Sequence, residues 1–313
     1  MRFSVIIPLY NKGPYIQKAL ESVLHQTGGD YEIVVVDDGS TDGSYDTAKS
    51  ILEGSHVPFR LMHQANMGVS TARNNGVAAS SGDYLCFLDG DDWWEPTFLE
   101  KIDGLIKAFP DAGIYGSNYY IVKGGSKRIA LNHIGTGYIN YCRAYTKMRM
   151  PLWTGAVCIP RKVFEESGGF RPHLKLGEDF DLWIRISLKN KVAFLNDPQS
   201  FYNQDSDAQW RGVGKLRKPE THMLWNLDYL AEEEKTNPDY KRLIDEIRTY
   251  SLFPYYLSDK YRQHARKELD KVDWSLQPPK VRRLYRLPVP ILKLRQRIRV
   301  FGSSVKRHIK RHK

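Results

Sequence analysis

Four short, largely apolar runs, residues 4–9, 31–36, 58–62 and 84–88, each stop at a cluster of polar residues, and the stretches between them carry helical periodicity. Continuous apolar runs are expected of strands covered on both faces, and such strands joined by helices build a parallel sheet. The first hundred or so residues are therefore expected to form an α/β domain with four buried strands. Pro14 suits the first turn of a helix that continues through Ile16, Leu20, Val23 and Leu24. Ser40 and Thr41 are candidate caps for a second helix over 42–52, residues 70–79 predict a third, and a fourth follows Pro96 and runs to Phe109.

Beyond Gly113 the Tyr- and Gly-rich segments 115–120 and 123–127 predict short strands and a hairpin over one end of the sheet. Residues 154–159 read as a strand, 161–167 as a short helix stopped by Gly168-Gly169, and 180–188 as an amphipathic helix. The text is helical from Pro219 to about Val272, and Pro278-Pro279 punctuates it. Three units are expected: 1–215, a helical appendage over 216–279, and a basic tail over 280–313.

Charge sharpens the last division. The chain carries 47 Lys and Arg against 36 Asp and Glu, a net charge of +11. Residues 280–313 hold 13 of the basic residues and no acidic one, so the body, with 34 against 36, is close to neutral. In the tail Ile291, Leu294, Ile298, Phe301 and Val305 fall on one helical face, ringed by Lys and Arg. Such a helix suits an anionic membrane interface; its rivals are a helix folded onto the body, a disordered arm and a nucleic-acid contact. A nucleic-acid binder would interleave basic and aromatic residues in the body as well, so no nucleic-acid partner is expected. The longest apolar run is five residues, too short to span a bilayer, and the first residues contain no signal-peptide pattern. The expected location is the cytoplasm, peripherally on the cytoplasmic face of the membrane. Cys86, Cys142 and Cys158 fit neither a disulfide framework nor a zinc site and are expected as reduced, mostly buried thiols.

In open α/β sheets ligands bind beyond the carboxyl ends of the strands, so the four polar clusters are expected to share one site. They read Pro8-Leu9-Tyr10-Asn11, Asp37-Asp38-Gly39-Ser40-Thr41-Asp42, Gln64-Ala65-Asn66-Met67-Gly68 and Asp89-Gly90-Asp91-Asp92. Tyr10 offers a flat face for a base, and Asp38 an acceptor for a base N–H. Asn66, Gly68 and Arg73 supply donors and a cation for ribose or phosphate. Asp-Asp-Gly-Ser is by itself ordinary turn and cap chemistry. The three carboxylates at 89, 91 and 92 read either as a solvated acidic turn or as a divalent-cation site completed by substrate phosphates.

Taken in order, these clusters, together with Val69-Ser70-Thr71-Ala72-Arg73-Asn74, Gly168-Gly169-Phe170 and Gly177-Glu178-Asp179-Phe180-Asp181-Leu182-Trp183, closely resemble family 2 glycosyltransferases of the GT-A fold, of the bacterial polysaccharide type. The resemblance covers residues 1 to about 205. It implies a Rossmann-like GT-A domain, a nucleoside-diphosphate sugar donor with UDP the first choice, Mn2+ or Mg2+, inversion at the anomeric carbon, and a glycan or lipid-linked saccharide acceptor in cell-surface polysaccharide synthesis. By the same resemblance Pro8, Tyr10, Asn11, Asp38, Asn66, Gly68, Arg73 and Asp89 face the donor nucleotide, and Asp91, with Asp89, holds the metal. Asp92 is expected behind them or as an alternative ligand. Asp179 occupies the place of the catalytic base, with Trp153, Thr154, Glu178 and Trp183 toward the acceptor; an acidic pair at a helix start and buried core tryptophan are the plainer readings of these residues. Gln209, Trp210 and Arg211 stand where a loop closes over the donor or simply lies on the surface. Where many members carry Tyr-Arg-any-His this chain reads Tyr202-Asn203-Gln204-Asp205, so Asp205 replaces a histidine. The alternatives to transfer are a nucleotidyltransferase or other nucleotide-sugar enzyme, and a nucleic-acid-binding protein acting through the tail.

Overall fold

The protein is described from a computed structural model covering residues 2–148, 150–206 and 216–295. Residues 209–211 and the tail positions Ile298, Phe301 and Val305 lie outside the described residues. The chain divides into two compact units, Met1–Met223 and Leu224–Lys313, so residues 216–223 belong with the first.

The first unit is built on a mixed sheet. Its strands are β1 (Arg2–Leu9), β2 (Asp30–Asp37), β3 (Phe59–His63), β4 (Tyr84–Phe87), β5 (Trp93–Trp94), β6 (Ala112–Lys123), β7 (Ser126–Ile129), β8 (Gly137–Ile139), β9 (Val157–Pro160) and β10 (Lys191–Asn203). The spatial order is β3-β2-β1-β4-β9-β6-β10-β5, with β7 on β6 and β8 on β10. β1, β2, β3 and β4 pair in parallel, and β9 enters antiparallel between β4 and β6. The helices are α1 (Gly13–Leu24), α2 (Ser44–Glu53), α3 (Val69–Ala79), α4 (Phe98–Ala108), α5 (Tyr141–Met148), α6 (Arg161–Glu166) and α7 (Glu178–Ser187).

The central strands owe their place to apolarity. Val5, Ile7, Ile33 and Val35 are fully buried and pack with Ile16, Leu20 and Val23 of α1, as their spacing predicts. On the opposite face Ile6 and Val36 receive α3, which comes so close that a β-carbon added at Gly76 would meet Ile6 Cγ2 at 2.5 Å. Burial of each such aliphatic side chain contributes about 1.5–3 kcal/mol. The three cysteines are free and buried, and Cys86 faces Cys158 directly across β4 and β9.

Four local expectations are corrected. β3 is an edge strand, partly exposed along its length, because among the described residues no further strand pairs on its outer side. Ser40 and Thr41 do not cap α2; its N-cap is Gly43 at φ 78°, and the Ser44 backbone N–H is taken by Asp42. Residues 115–120 are no cover for the sheet but lie inside the twelve-residue strand β6, which is paired between β9 and β10 at its edges while α4 and α7 pack against it. Thr154–Ala156 form a 3-10 turn before β9, closed by Ala156 N–H on the Trp153 carbonyl.

The second unit is helical, as predicted. After short 3-10 turns come α8 (Ala231–Thr236), α9 (Pro238–Ser251), α10 (Phe253–Leu257), α11 (Arg262–Leu269) and α12 (Pro279–Arg286). Asn237 caps α9 through the N–H groups of Asp239 and Tyr240. Its core holds Tyr240, Leu243, Ile244 and Leu252 around the buried Arg248, which pairs with Glu234, Asp245 and Glu268. Of the apolar face predicted for the tail, only Ile291 and Leu294 fall within the described residues; both are exposed, and Leu292 between them is buried. Among the described residues no helix is long and apolar enough to cross a membrane.

Candidate active site

A cleft of about 550 Å³ opens beyond the carboxyl ends of β1, β2 and β4, where the strand order places the polar clusters side by side. From the end of β1 come Pro8, Tyr10 and Lys12. Asn11, expected at the nucleotide, is not among the lining residues: it sits at φ 49°, its Oδ1 accepts the Thr41 N–H at 2.8 Å, and its own N–H goes to Ser40 Oγ at 3.0 Å. Its amide ties the first two loops together, which fixes where Tyr10 stands.

Asp38 follows β2 and reaches the cleft, but most of its acceptor capacity is spent within the protein. Oδ1 accepts the Met67 N–H and Gln64 Nε2, and Oδ2 accepts the Gly68 N–H, each at 2.8 Å. A carboxylate has about four acceptor positions, so one remains for a base. These bonds present Asn66 and Gly68 as cleft wall. Gly68 adopts φ 92°, and a β-carbon there would lie 2.6 Å from Lys175 Nζ, so the turn requires glycine.

The β4 end carries the charge. Asp89 pairs with Arg73 at 2.7 Å, and the same guanidinium reaches Glu178 at 3.4 Å while lying 5.1 Å from the Phe170 ring centre. Asp91 takes the Lys12 ammonium at 2.5 Å. Asp92 is buried behind them, held by the Asn203 N–H at 2.8 Å and Trp153 Nε1 at 3.1 Å. Burial first, then the charges of Asp91 and Asp89, hold its carboxyl well above the usual range. Among the described residues no three His, Cys, Asp or Glu side chains converge as a complete metal cage. The donor set still fits Mg2+ or Mn2+, which bind through one or two carboxylates plus substrate phosphates. Asp91 and Asp89 offer hard oxygens on the cleft wall, currently balanced by cationic side chains rather than buried in the fold.

α7 brings the second half to the cleft. Gly177, at φ 82°, turns the chain into the helix, and Glu178 lines the cleft. Asp179 lies just beyond the lining, accepting the Phe180 N–H at 2.8 Å and the Thr154 hydroxyl at 3.4 Å. Burial, reinforced by Glu178 and opposed by Arg73, pushes its pKa up to about 7. Trp153 forms cleft wall against Tyr202, ring centres 3.9 Å apart. Thr154 is buried behind the wall, and Trp183 is corrected from acceptor contact to core: it is fully buried, edge-on to Phe170, because α7 turns that face into the sheet.

Asp205 does not approach the cleft. Its carboxylate accepts the N–H groups of Gly124 and Gly125, at 2.7 and 3.4 Å, and so holds the β6–β7 turn. Lys12, Tyr202, Ser206 and Arg217 line the cleft without having been foreseen. Lys12 had a local signal, as the cation one residue past Asn11; the other three reach the site only through the course of β10 and the chain after it.

A mixed sheet in this order, with its cleft at the strand ends, is the GT-A fold. Solved structures of S. aureus TarS share it: residues 1–349 in complex with UDP-GlcNAc match with a TM-score of 0.61 at 18% identity, over 86% of this chain and 70% of that one. The mannosyltransferase PcManGT from Pyrobaculum calidifontis, in complex with GDP-Man and Mn2+, matches with a TM-score of 0.50 at 15% identity, over 88% of each chain. The family model described as Glycosyl transferase family 2 matches residues 4–167, just over half of the chain, and the chain belongs to that family. Among curated relatives, the uncharacterized glycosyltransferase alr2836 of Nostoc sp. is 40% identical over 131 residues, 41% of this chain and 40% of the relative. The uncharacterized glycosyltransferase YibD of Escherichia coli is 46% identical over 101 residues, 32% of this chain and 29% of the relative. The chain thus matches less than half the length of either.

Proposed function

We propose that this chain transfers a sugar from a nucleoside-diphosphate sugar, a UDP-sugar first among candidates, to a hydroxyl of a glycan or lipid-linked saccharide, with inversion, in cell-surface polysaccharide synthesis. The reading is carried by one observation: Tyr10, Asp38, Arg73, Asp89 and Asp91 line a single cleft at the strand ends. The cleft falls in the range of small-molecule sites. The UDP-GlcNAc bound to TarS and the GDP-Man and Mn2+ bound to PcManGT support such a donor and such a cation.

In this reading Tyr10 stacks on the base and the remaining acceptor position of Asp38 takes a base N–H, while Arg73 and Lys12 turn to the phosphates. Asp91, with Asp89, would hold Mn2+ or Mg2+, which would supply positive charge for a nucleoside diphosphate leaving group. Asp179 takes the proton from the acceptor hydroxyl as its oxygen attacks the anomeric carbon; a single displacement needs only this one base. Glu178 and Trp153 shape the acceptor side, and an aromatic face suits a sugar ring. The basic tail keeps the enzyme on the cytoplasmic face of an anionic membrane.

A donor screen tests this directly. Purified protein with Mn2+ should release nucleoside diphosphate from one of the UDP-, GDP- or dTDP-sugars, and Asp91→Ala or excess EDTA should nearly abolish the release. Release of inorganic diphosphate instead, a product that retains the donor's anomeric configuration, or full activity in Asp91→Ala would each overturn it.

A further inference from the structure

A second cavity, of about 480 Å³, lies within the helical unit. α11 contributes Arg266 to it, and α12 contributes Arg282 and Arg286, one helical turn apart. Two arginines of this unit are matched by acids, Arg248 by Glu234 and Arg262 by Asp259. Among the described residues, by contrast, no carboxylate comes within ion-pair distance of Arg266, Arg282 or Arg286. Three guanidinium groups against the single carboxylate of Asp270 leave the cavity wall net positive, which favours an anionic ligand.

The rest of the wall narrows the anion. Tyr256, Trp274 and Tyr285 line the same cavity, the Tyr285 ring centre lying 5.2 Å from each of the other two. The Tyr285 hydroxyl donates to the Thr249 carbonyl at 2.6 Å, which locks this aromatic surface in place. Arg266 lies 5.9 Å from the Tyr256 ring centre, so its guanidinium is held beside that surface. Asp270, also on the wall, is an acceptor for hydroxyl groups. Planar forks match phosphate oxygens, aromatic faces match the apolar face of a sugar ring, and a lone carboxylate matches ring hydroxyls.

We propose that this cavity binds a phosphate-bearing sugar, as a site separate from the strand-end cleft. The phosphate sits among Arg266, Arg282 and Arg286, and the ring lies against Trp274 and Tyr285. The same chemistry is presented by a soluble glycosyl phosphate and by an anionic sugar-like lipid headgroup such as that of phosphatidylinositol. The inference does not depend on the transfer reaction.

The test is calorimetric titration of the full-length protein with glucose 1-phosphate and with glucose, repeated on Arg282→Ala/Arg286→Ala and on Arg282→Lys/Arg286→Lys. Wild type should bind the phosphate ester and not glucose, the Ala pair should lose about tenfold or more in affinity, and the Lys pair should recover part of it, since charge remains without the fork. Binding of UDP should be the same in all three proteins, which separates this site from the cleft. Sedimentation with phosphatidylcholine vesicles containing phosphatidylinositol, set against vesicles with an equal fraction of phosphatidylglycerol that the basic tail binds alike, tells the two sources apart. Loss in the Ala pair of both glucose 1-phosphate binding and a wild-type preference for phosphatidylinositol assigns a lipid headgroup, and loss of glucose 1-phosphate binding with no such preference in wild type assigns a soluble glycosyl phosphate. Equal binding of glucose 1-phosphate by wild type and the Ala pair, or equal binding of glucose and its phosphate, would overturn the proposal.

Discussion

Asp179 is pressed toward its neutral form by burial and by Glu178, and toward its charged form by Arg73 and the Phe180 N–H. The balance, near 7, suits a base that must be free to accept a proton close to neutral pH. Asp179→Asn keeps the shape and removes the basicity, so transfer should fall by roughly 10²-fold or more with little change in donor binding. In wild type the rate should fall as pH drops through about 7. The sign for stability is opposite. A carboxyl whose folded pKa lies above its unfolded value near 3.9 adds most stability when protonated, and that contribution is lost as pH rises through the folded pKa. Asp179→Asn should therefore melt higher than wild type at pH 8 and about equally at pH 4; an unchanged Tm at pH 8 would show that the carboxyl is not under this pressure. Tyr10, Asp38 and Asp91 were legible as residues of one cleft because each lies within a few residues of the end of an apolar strand. Arg217 and Tyr202 were not, since nothing local to them marks a cleft that the returning chain completes.

Secondary elements show the same division between local and long-range information. β1, β2 and β4 declare themselves by apolarity, and α1 and α7 by periodicity. Whether β3 is central or at an edge depends on what lies beyond it, which its own five residues do not encode. β6 was misjudged because its tyrosines and glycines dilute the apolar signal, while its burial comes from its central place between β9 and β10 and from α4 and α7 packed against it. Asp205, which stands where many members carry a histidine, is likewise a clasp on the β6–β7 turn, a role set by residues some eighty positions away. Asp205→Ala should lower Tm by about 2–4 °C, the equivalent of roughly 1 kcal/mol in a unit of this size, and leave nucleoside diphosphate release unchanged. A large loss of release at unchanged Tm would return Asp205 to the chemistry.

Over the whole molecule, charge separates a nearly neutral body from a basic tail. Seven of the tail's Lys and Arg lie beyond residue 295, and each basic group at an anionic surface contributes about 1 kcal/mol, screened by salt. A chain ending at residue 295 keeps the helical cavity but should sediment much less with vesicles containing phosphatidylglycerol than the full chain does. Equal sedimentation of both, or a preference for neutral lipid, would count against membrane attachment through the tail. The position of β9 bears on how such a chain is made. β4 leaves the ribosome about 70 residues before β9, the strand that covers its free side. At roughly 5–20 residues per second, the nascent chain carries an open, apolar sheet margin for several seconds before its partner arrives. Nascent chains stalled within that interval should bind chaperones and aggregate more than those stalled after β9 has emerged.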